Sequence, residues 1–307
     1  MNALRTIAFV LVIGMAGQLV AQHTPITTQY LFNGLLINPA YAGSRDALTA
    51  NLTWRKQWVG FDGAPETQVL SVHSPLTGKK LALGLLVTND GIGISKQTGV
   101  MTNYAYRVKL GTGKLSFGIG AGFKTGRYEW TAVRTTDEGD AQFAADGPAT
   151  TRADFSGGAY WYSKKYFVGL SIPTLPRSIT INDSSRTNTT SGLAFTQPML
   201  TGGLLLKTGT DFKLKPSFLL RKLGGGPVSG DLSLNVIYQD RFWLGASWRK
   251  DDALSLMLEV LPTPQFRIGY AYDLGLGTLA AYHQGSHELM LQYEFGFHVK
   301  ARDPRFF

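Results

Sequence analysis

The chain reads as all-β, a transmembrane outer-membrane barrel of about fourteen antiparallel strands preceded by a short N-terminal segment. Three observations predict this: repeated strand-length alternation of apolar and polar residues, a leader-like start, and connections that switch between short and long. The composition agrees, with 36 glycines in 307 residues, 12% aromatic and only 17% charged. The absence of cysteine excludes disulfide frameworks, thiolate metal sites and cysteine nucleophiles.

The start, "MNALRTIAFVLVIGMAGQLVAQ", has an early Arg5, an apolar run from Ile7 to Val20 and a small Ala21 at a cleavage position, so residues 1–21 read as a signal peptide. Its removal takes Arg5 with it and lowers the net charge from +9 to +8. An exported basic chain points to the envelope surface or an acidic partner, and not to nucleic acid. Beyond the leader no apolar run reaches the roughly 18–20 residues of a membrane helix, so a membrane location requires strands.

In the first strand Thr49, Asn51, Thr53, Arg55 and Gln57 share one face, and Leu48, Ala50, Leu52, Trp54 and Trp58 the other. The same alternation sets Val100, Thr102, Tyr104 and Tyr106 against Asn103, Ala105, Arg107 and Lys109, sets Leu232, Leu234 and Val236 against Ser233 and Asn235, and sets Leu289, Leu291 and Tyr293 against Gln292 and Glu294. Further segments near 66–75, 81–90, 113–127, 150–163, 166–172, 197–208, 211–220, 242–250, 252–261 and 265–274 bring the count to about fourteen. Lipid tolerates charge poorly, so Arg107, Lys109, Lys124, Lys213, Lys215, Arg267, Asp273 and Glu294 assign the polar face to a wet lumen. Trp54, Trp58, Trp130, Trp161, Tyr166, Trp243 and Trp248 lie near strand ends, where interfacial girdles are expected.

Odd connections such as "VGFDGAPE", "GIGISKQ" and the long stretches around 131–150 and 173–196 contrast with the tight even ones, "LTGKK", "GTGK", "SKK", "TGTD", "QDR" and "PTPQ". This asymmetry is that of outer-membrane barrels, with short turns in the periplasm, and it predicts periplasmic termini. The chain divides into the leader, an N-terminal segment over 22–46, a barrel over 47–297 and a periplasmic tail over 298–307, where Arg302 and Arg305 either meet an acidic partner or stay solvated.

Chemistry is sparse. "HQGSHE", with His283, His287 and Glu288, is a loop and not a ligand set. "GLGTLA" lacks the following helix that a dinucleotide fingerprint needs. His73 beside Ser71 and Ser74 is the nearest approach to a hydrolytic cluster. No catalytic, cofactor or metal residue is assigned. "GIGAG", Gly118 to Gly122, alternates on the lumen side, where missing side chains leave space or let another segment approach.

Residues 29–76, with "NPAYAG" and "RKQWVGFDGAP", resemble the PorP/SprF family of type IX secretion membrane proteins. The likeness continues through "NDGIG" and returns at "GSHELMLQY" and "DPRFF". The resemblance implies a non-enzymatic barrel in the outer membrane of Bacteroidota, serving type IX secretion and gliding motility. Its implied partners are a large secreted protein with a type B C-terminal sorting domain, anchored at the cell surface, and lipoproteins of the periplasmic ring.

The 22–46 segment lacks alternation, and in it Pro39 fixes a backbone angle while Gly43 permits a tight turn. Either it folds into the lumen as a plug, bringing Asn38 and Tyr41 to the face that holds Arg55 and Gln57, or it caps the barrel rim. Trp58, Phe61 and Asp62, where the first strand passes into its loop, are candidate contacts for an external partner. The other function class is a porin-like barrel passing small anionic or apolar solutes, for which a basic lumen favours anions.

Overall fold

The computed structural model describes residues 27–133, 140, 143–175, 196–222 and 227–296, with 179–183 and 186–190 as backbone. The leader, the C-terminal tail and parts of both long loops lie outside the described residues.

Alternating sequence folds as alternating wall. The first half of the wall comprises β1 (Leu48–Lys56), β2 (Glu66–Pro75), β3 (Leu81–Ile92), β4 (Ser95–Leu110), β5 (Gly113–Tyr128), β6 (Thr150–Tyr162) and β7 (Tyr166–Ile172). A separate hairpin, β8 (Ile179–Asp183) with β9 (Arg186–Thr190), belongs to the seventh connection. The wall resumes with β10 (Met199–Leu204), β11 (Leu206–Thr208), β12 (Phe212–Lys222), β13 (Val228–Tyr238), β14 (Phe242–Arg249), β15 (Ala253–Val260), β16 (Phe266–Gly275) and β17 (Ser286–Phe295).

Every neighbour pair is antiparallel. β1 pairs with β17 from Leu48↔Phe295 to Lys56↔His287, and β10 pairs with both β7 and β12, so the sheet closes on itself. β10 and β11 are two lengths of one stave interrupted at Leu205, which makes fourteen staves from the fifteen strands of the sheet. Closure leaves no edge in lipid, as a hydrocarbon environment demands.

The burial pattern is that of a soluble protein turned inside out. Ile119, Leu170, Leu232, Leu244 and Leu256 stand more than half exposed on the outer face, while Arg55, Arg107, Lys215, Arg267 and Glu288 are buried within. An apolar band outside and a polar interior is the membrane-barrel arrangement. Aromatic pairs mark both ends of the wall: Trp161 stacks on Tyr166 at 4.7 Å, and Tyr128 on Trp130 at 5.5 Å. Trp243, expected in a girdle, instead points inward and is buried against Phe32 at 5.3 Å. Its position follows from the phase of β14, in which Trp248 is on the lipid face and any odd-offset partner must face inward. Lys109 also departs from expectation; it is exposed beside the β4–β5 turn and not sunk in the lumen.

The two ends differ. One end carries short turns at 76–80, 111–112, 163–165, 209–211, 239–241 and 261–265. The 239–241 turn is so tight that Gln239 and Asp240 take left-handed φ of 48° and 59°, the pair of signs that a two-residue hairpin turn needs to match strand twist. The other end carries the loops at 57–65, 129–149, 173–198, 223–227, 250–252 and 276–285. "GIGISKQ" is not a loop but the extended tips of β3 and β4, turning at Gly93 and Ile94.

Candidate functional site in the barrel lumen

The barrel interior is occupied by the chain's own residues 27–45. Residues 27–44 themselves carry no charge, and every residue from Thr27 to Arg45 is buried. Gln29 to Asn33 form consecutive turns, followed by 3-10 turns at Gly34–Leu36 and Pro39–Tyr41. The Asn38 carboxamide oxygen caps the second of these by accepting from the Ala40 N–H at 2.9 Å, and Pro39 supplies its fixed φ at the first position.

Contacts with the wall order this segment along the barrel axis. Near the loop end, the Arg55 guanidinium donates to Asp273 at 2.5 Å, to Glu288 at 3.1 Å and to the Thr28 hydroxyl at 2.8 Å. The Thr28 hydroxyl donates in turn to Asp273 at 2.9 Å, and Glu288 accepts the backbone N–H groups of Thr28 and Gln29 at 2.7 and 2.8 Å. One cation, two carboxylates and three segment donors thus pair with one another across β1, β16 and β17, the condition under which buried charge is tolerated.

Midway down, the Ser71 hydroxyl donates to Asn33 at 2.7 Å, and the Ser171 hydroxyl donates to the Ile37 carbonyl at 2.6 Å. Phe32 enters an aromatic and cationic cage, with Lys215 5.3 Å and Arg267 4.8 Å from its ring, and Arg267 is held by Glu259 at 2.7 Å. At the turn end, the Gly43 N–H donates to His73 Nδ1 at 3.1 Å, Arg107 donates to the Gly43 carbonyl, and Arg45 pairs with Glu294 at 2.8 Å. Asp46 binds Arg107 at 3.0 Å and Lys114 at 2.8 Å. Burial opposes ionisation of Asp46, and these two cations outweigh it, holding the carboxyl below its usual range.

Lumen glycines give the segment its room. An added Cβ at Gly118 would lie 2.2 Å from the Ala40 nitrogen, and one at Gly158 would lie 2.3 Å from Asn38 Oδ1. At Gly84 the nearest atom would be a Leu35 methyl at 3.1 Å. Around Tyr41, Phe167 and Lys215 the space left between segment and wall admits no more than a water or two.

The sequence-derived residues therefore fall into two groups. Asn38, Pro39, Tyr41 and Gly43 all contact the lumen wall, but on β2 to β7: Asn38 Nδ2 donates to the Ala159 carbonyl at 3.0 Å, and Tyr41 packs on Tyr160 and His73 with both centroid distances at 5.5 Å. Arg55 is not their partner; it holds Thr28 at the opposite end of the lumen. Gln57 closes the first loop through its backbone, N–H to the Pro65 carbonyl at 2.9 Å. Trp58 adopts a φ of 45°, donates its N–H to Ser286 at 3.2 Å and packs edge-on to Phe61 and against His283. Phe61 and Asp62 are exposed at the loop end.

Sequence reasoning did not find Thr28, Asp273 and Glu288 as a unit, because 245 residues separate Thr28 from Asp273 and only barrel closure joins them. His73 is committed to the Gly43 backbone and Ser71 to Asn33, so they form no nucleophile and base pair. His287 instead meets the Tyr270 hydroxyl at 2.6 Å while Glu288 faces inward, and among the described residues no cluster of metal-binding side chains occurs.

A closed fourteen-stave barrel with an apolar exterior, filled by its own N-terminal segment, is an outer-membrane β-barrel protein. Its sequence matches the family of type IX secretion system membrane proteins PorP/SprF over residues 19–293, and the chain belongs to that family. Among solved structures it is similar to the CymD monoaromatic hydrocarbon channel, at 12% identity and a TM-score of 0.52, covering 89% of this chain and 94% of that one. It is also similar to the Ralstonia pickettii toluene transporter TbuX, at 9% identity and a TM-score of 0.50, covering 88% and 94%. At such identities the likeness is one of fold. No curated protein matches the chain.

Proposed function

We propose that this protein is a non-enzymatic accessory barrel of the type IX secretion and gliding machinery in the outer membrane of a member of the Bacteroidota. It helps to secrete a large adhesin-like protein with a type B C-terminal sorting domain, or to anchor it at the surface, and contacts ring lipoproteins from the periplasmic side. The observation that carries this reading is the filled lumen: a barrel whose interior is packed by residues 27–45 acts through its rims and loops and not by passing solute. The loop end, where Trp58, Phe61 and Asp62 sit, faces the cell surface, and the short turns face the periplasm.

The competing reading, transport of small anionic or apolar solutes, draws support from the two channels of similar fold. It requires residues 27–45 to vacate the lumen. Pull-down of the tagged barrel from its native membrane in mild detergent separates the two. The expected result is co-purification of a large secreted protein or a periplasmic lipoprotein, whereas reproducible recovery of the barrel alone would count against the accessory role.

A further inference from the structure

We propose that the turn end carries a basic collar around the barrel mouth, and that this collar docks an acidic, Asp/Glu-rich segment of a periplasmic protein. The inference deepens the proposed function and rests on it for the compartment, with short turns in the periplasm; the collar itself stands on charge and strand phase.

Lys80, Lys109, Lys165, Lys207 and Arg241 are exposed at or beside the short turns. Each holds the lumen phase of its stave. Lys109 lies two residues beyond buried Arg107, Lys207 two beyond buried Leu205, and Arg241 two before buried Trp243. The Lys80 carbonyl accepts the Arg107 N–H and the Lys165 carbonyl accepts the Leu205 N–H, so both lysines extend their ladders opposite lumen residues. These five cations therefore point to the mouth and not to the lipid headgroups around the wall. Of the other lysines here, Lys79 and Lys164 fall out of this phase, while Lys114 and Lys213 share it and are paired with Asp46 and Asp240.

Charge at this end is one-sided. Among the described residues the five collar cations form no ion pair, whereas Asp46, Asp240, Glu259 and Glu294 are each already paired, which leaves Asp211 alone against the collar. The loop end mixes signs instead: Arg127 pairs with Glu129, Lys250 with Asp251, and Lys56 stands opposite Glu66. The collar runs from β3 round to β14, eight stave spacings of about 4.8 Å, or roughly 38 Å. A single small anion cannot bridge that arc, but an extended segment of about a dozen residues spans it. The filled lumen leaves the collar no pore to feed. Nor does the chain supply the occupant: residues 298–307, which follow β17 in sequence, hold Lys300, Arg302 and Arg305 against Asp303, and a second copy would bring the same basic end into the same compartment.

The test uses the purified full-length barrel in neutral detergent and a fluorescein-labelled dodecaglutamate peptide, read by fluorescence anisotropy. Lys80→Gln, Lys109→Gln, Lys165→Gln, Lys207→Gln and Arg241→Gln together remove the collar. Lys56→Gln, Lys96→Gln, Arg127→Gln, Lys222→Gln and Lys250→Gln together remove as much charge from the loop end. The expected result is that the parent binds, more weakly as salt is raised, that the collar variant loses about tenfold or more in affinity, and that the loop-end variant keeps it. The double variant Lys165→Gln, Lys207→Gln, which disturbs only two neighbouring staves, should show an intermediate loss. Equal binding by the two fivefold variants, or no binding by the parent, would overturn the collar. Binding kept in phosphatidylcholine nanodiscs but lost when phosphatidylglycerol is added would assign the collar to lipid headgroups and overturn the proposal as well. The native pull-down judges the accessory role independently, because the peptide assay requires no native partner.

Discussion

Gly118→Ala opens the barrel: the purified variant conducts in planar bilayers where the parent does not, and its heat-denaturation midpoint falls. The added methyl group would lie 2.2 Å from the nitrogen and 2.4 Å from the Cα of Ala40, and both are backbone atoms that no rotamer change can move aside. The 3-10 turn Pro39–Tyr41 must therefore leave the wall, and with it go the Asn38 bonds to Ala159 and Leu170. Overpacking of this kind costs about 1–3 kcal/mol. Gly157→Ala is the matched control, since a Cβ there meets nothing within 4 Å, and it should leave conductance and stability unchanged. Equal behaviour of the two variants would mean that the glycine stripe is not what seats the segment.

Arg55→Met has the larger effect on stability. Removing the guanidinium leaves Asp273 and Glu288 buried side by side, with side chains only 4% and 0% exposed, facing Thr28 without the one cation that bridges them. Breaking a buried pair in this way costs about 3–5 kcal/mol, well above what the same substitution costs at a surface pair. Because the three residues lie on β1, β16 and β17, the loss weakens the closing seam and the upper hold on the segment together. The expected readout is a lower temperature for conversion of the folded to the unfolded band on gels, with much of the loss recovered when Asp273→Asn and Glu288→Gln are added. No recovery in the triple variant would assign the loss to packing and not to uncompensated charge.

Much of this architecture was legible in the sequence because strand alternation is a local property. Leu232, Ser233, Leu234 and Asn235 announce their faces two residues at a time, and the lumen position of Arg107, Lys215, Arg267, Asp273 and Glu294 follows from the cost of charge in lipid. Trp243 shows the limit: a residue type suited to an interface was read as one, whereas the phase of β14 and the arrival of Phe32 make it core.

The segment's contacts were out of reach for a different reason. Nothing in "NPAYAG" specifies which staves it meets, since those contacts depend on barrel closure and on which end the segment enters. The pairing of Asn38 and Tyr41 with the Arg55 face therefore failed, although "GIGAG" did carry the signal of a close backbone approach, and it is Ala40 that approaches Gly118. Glycines on the lumen side of a strand mark where a filling segment passes, but not its direction.

The central claim is that residues 27–45 fill the lumen and that the barrel works through its partners. It is tested most directly by the conductance of the purified full-length protein in planar bilayers, measured beside a variant lacking residues 28–42. The account predicts a silent parent and an openly conducting deletion. Porin-like, anion-selective steps from the parent at the level of the deletion would contradict it.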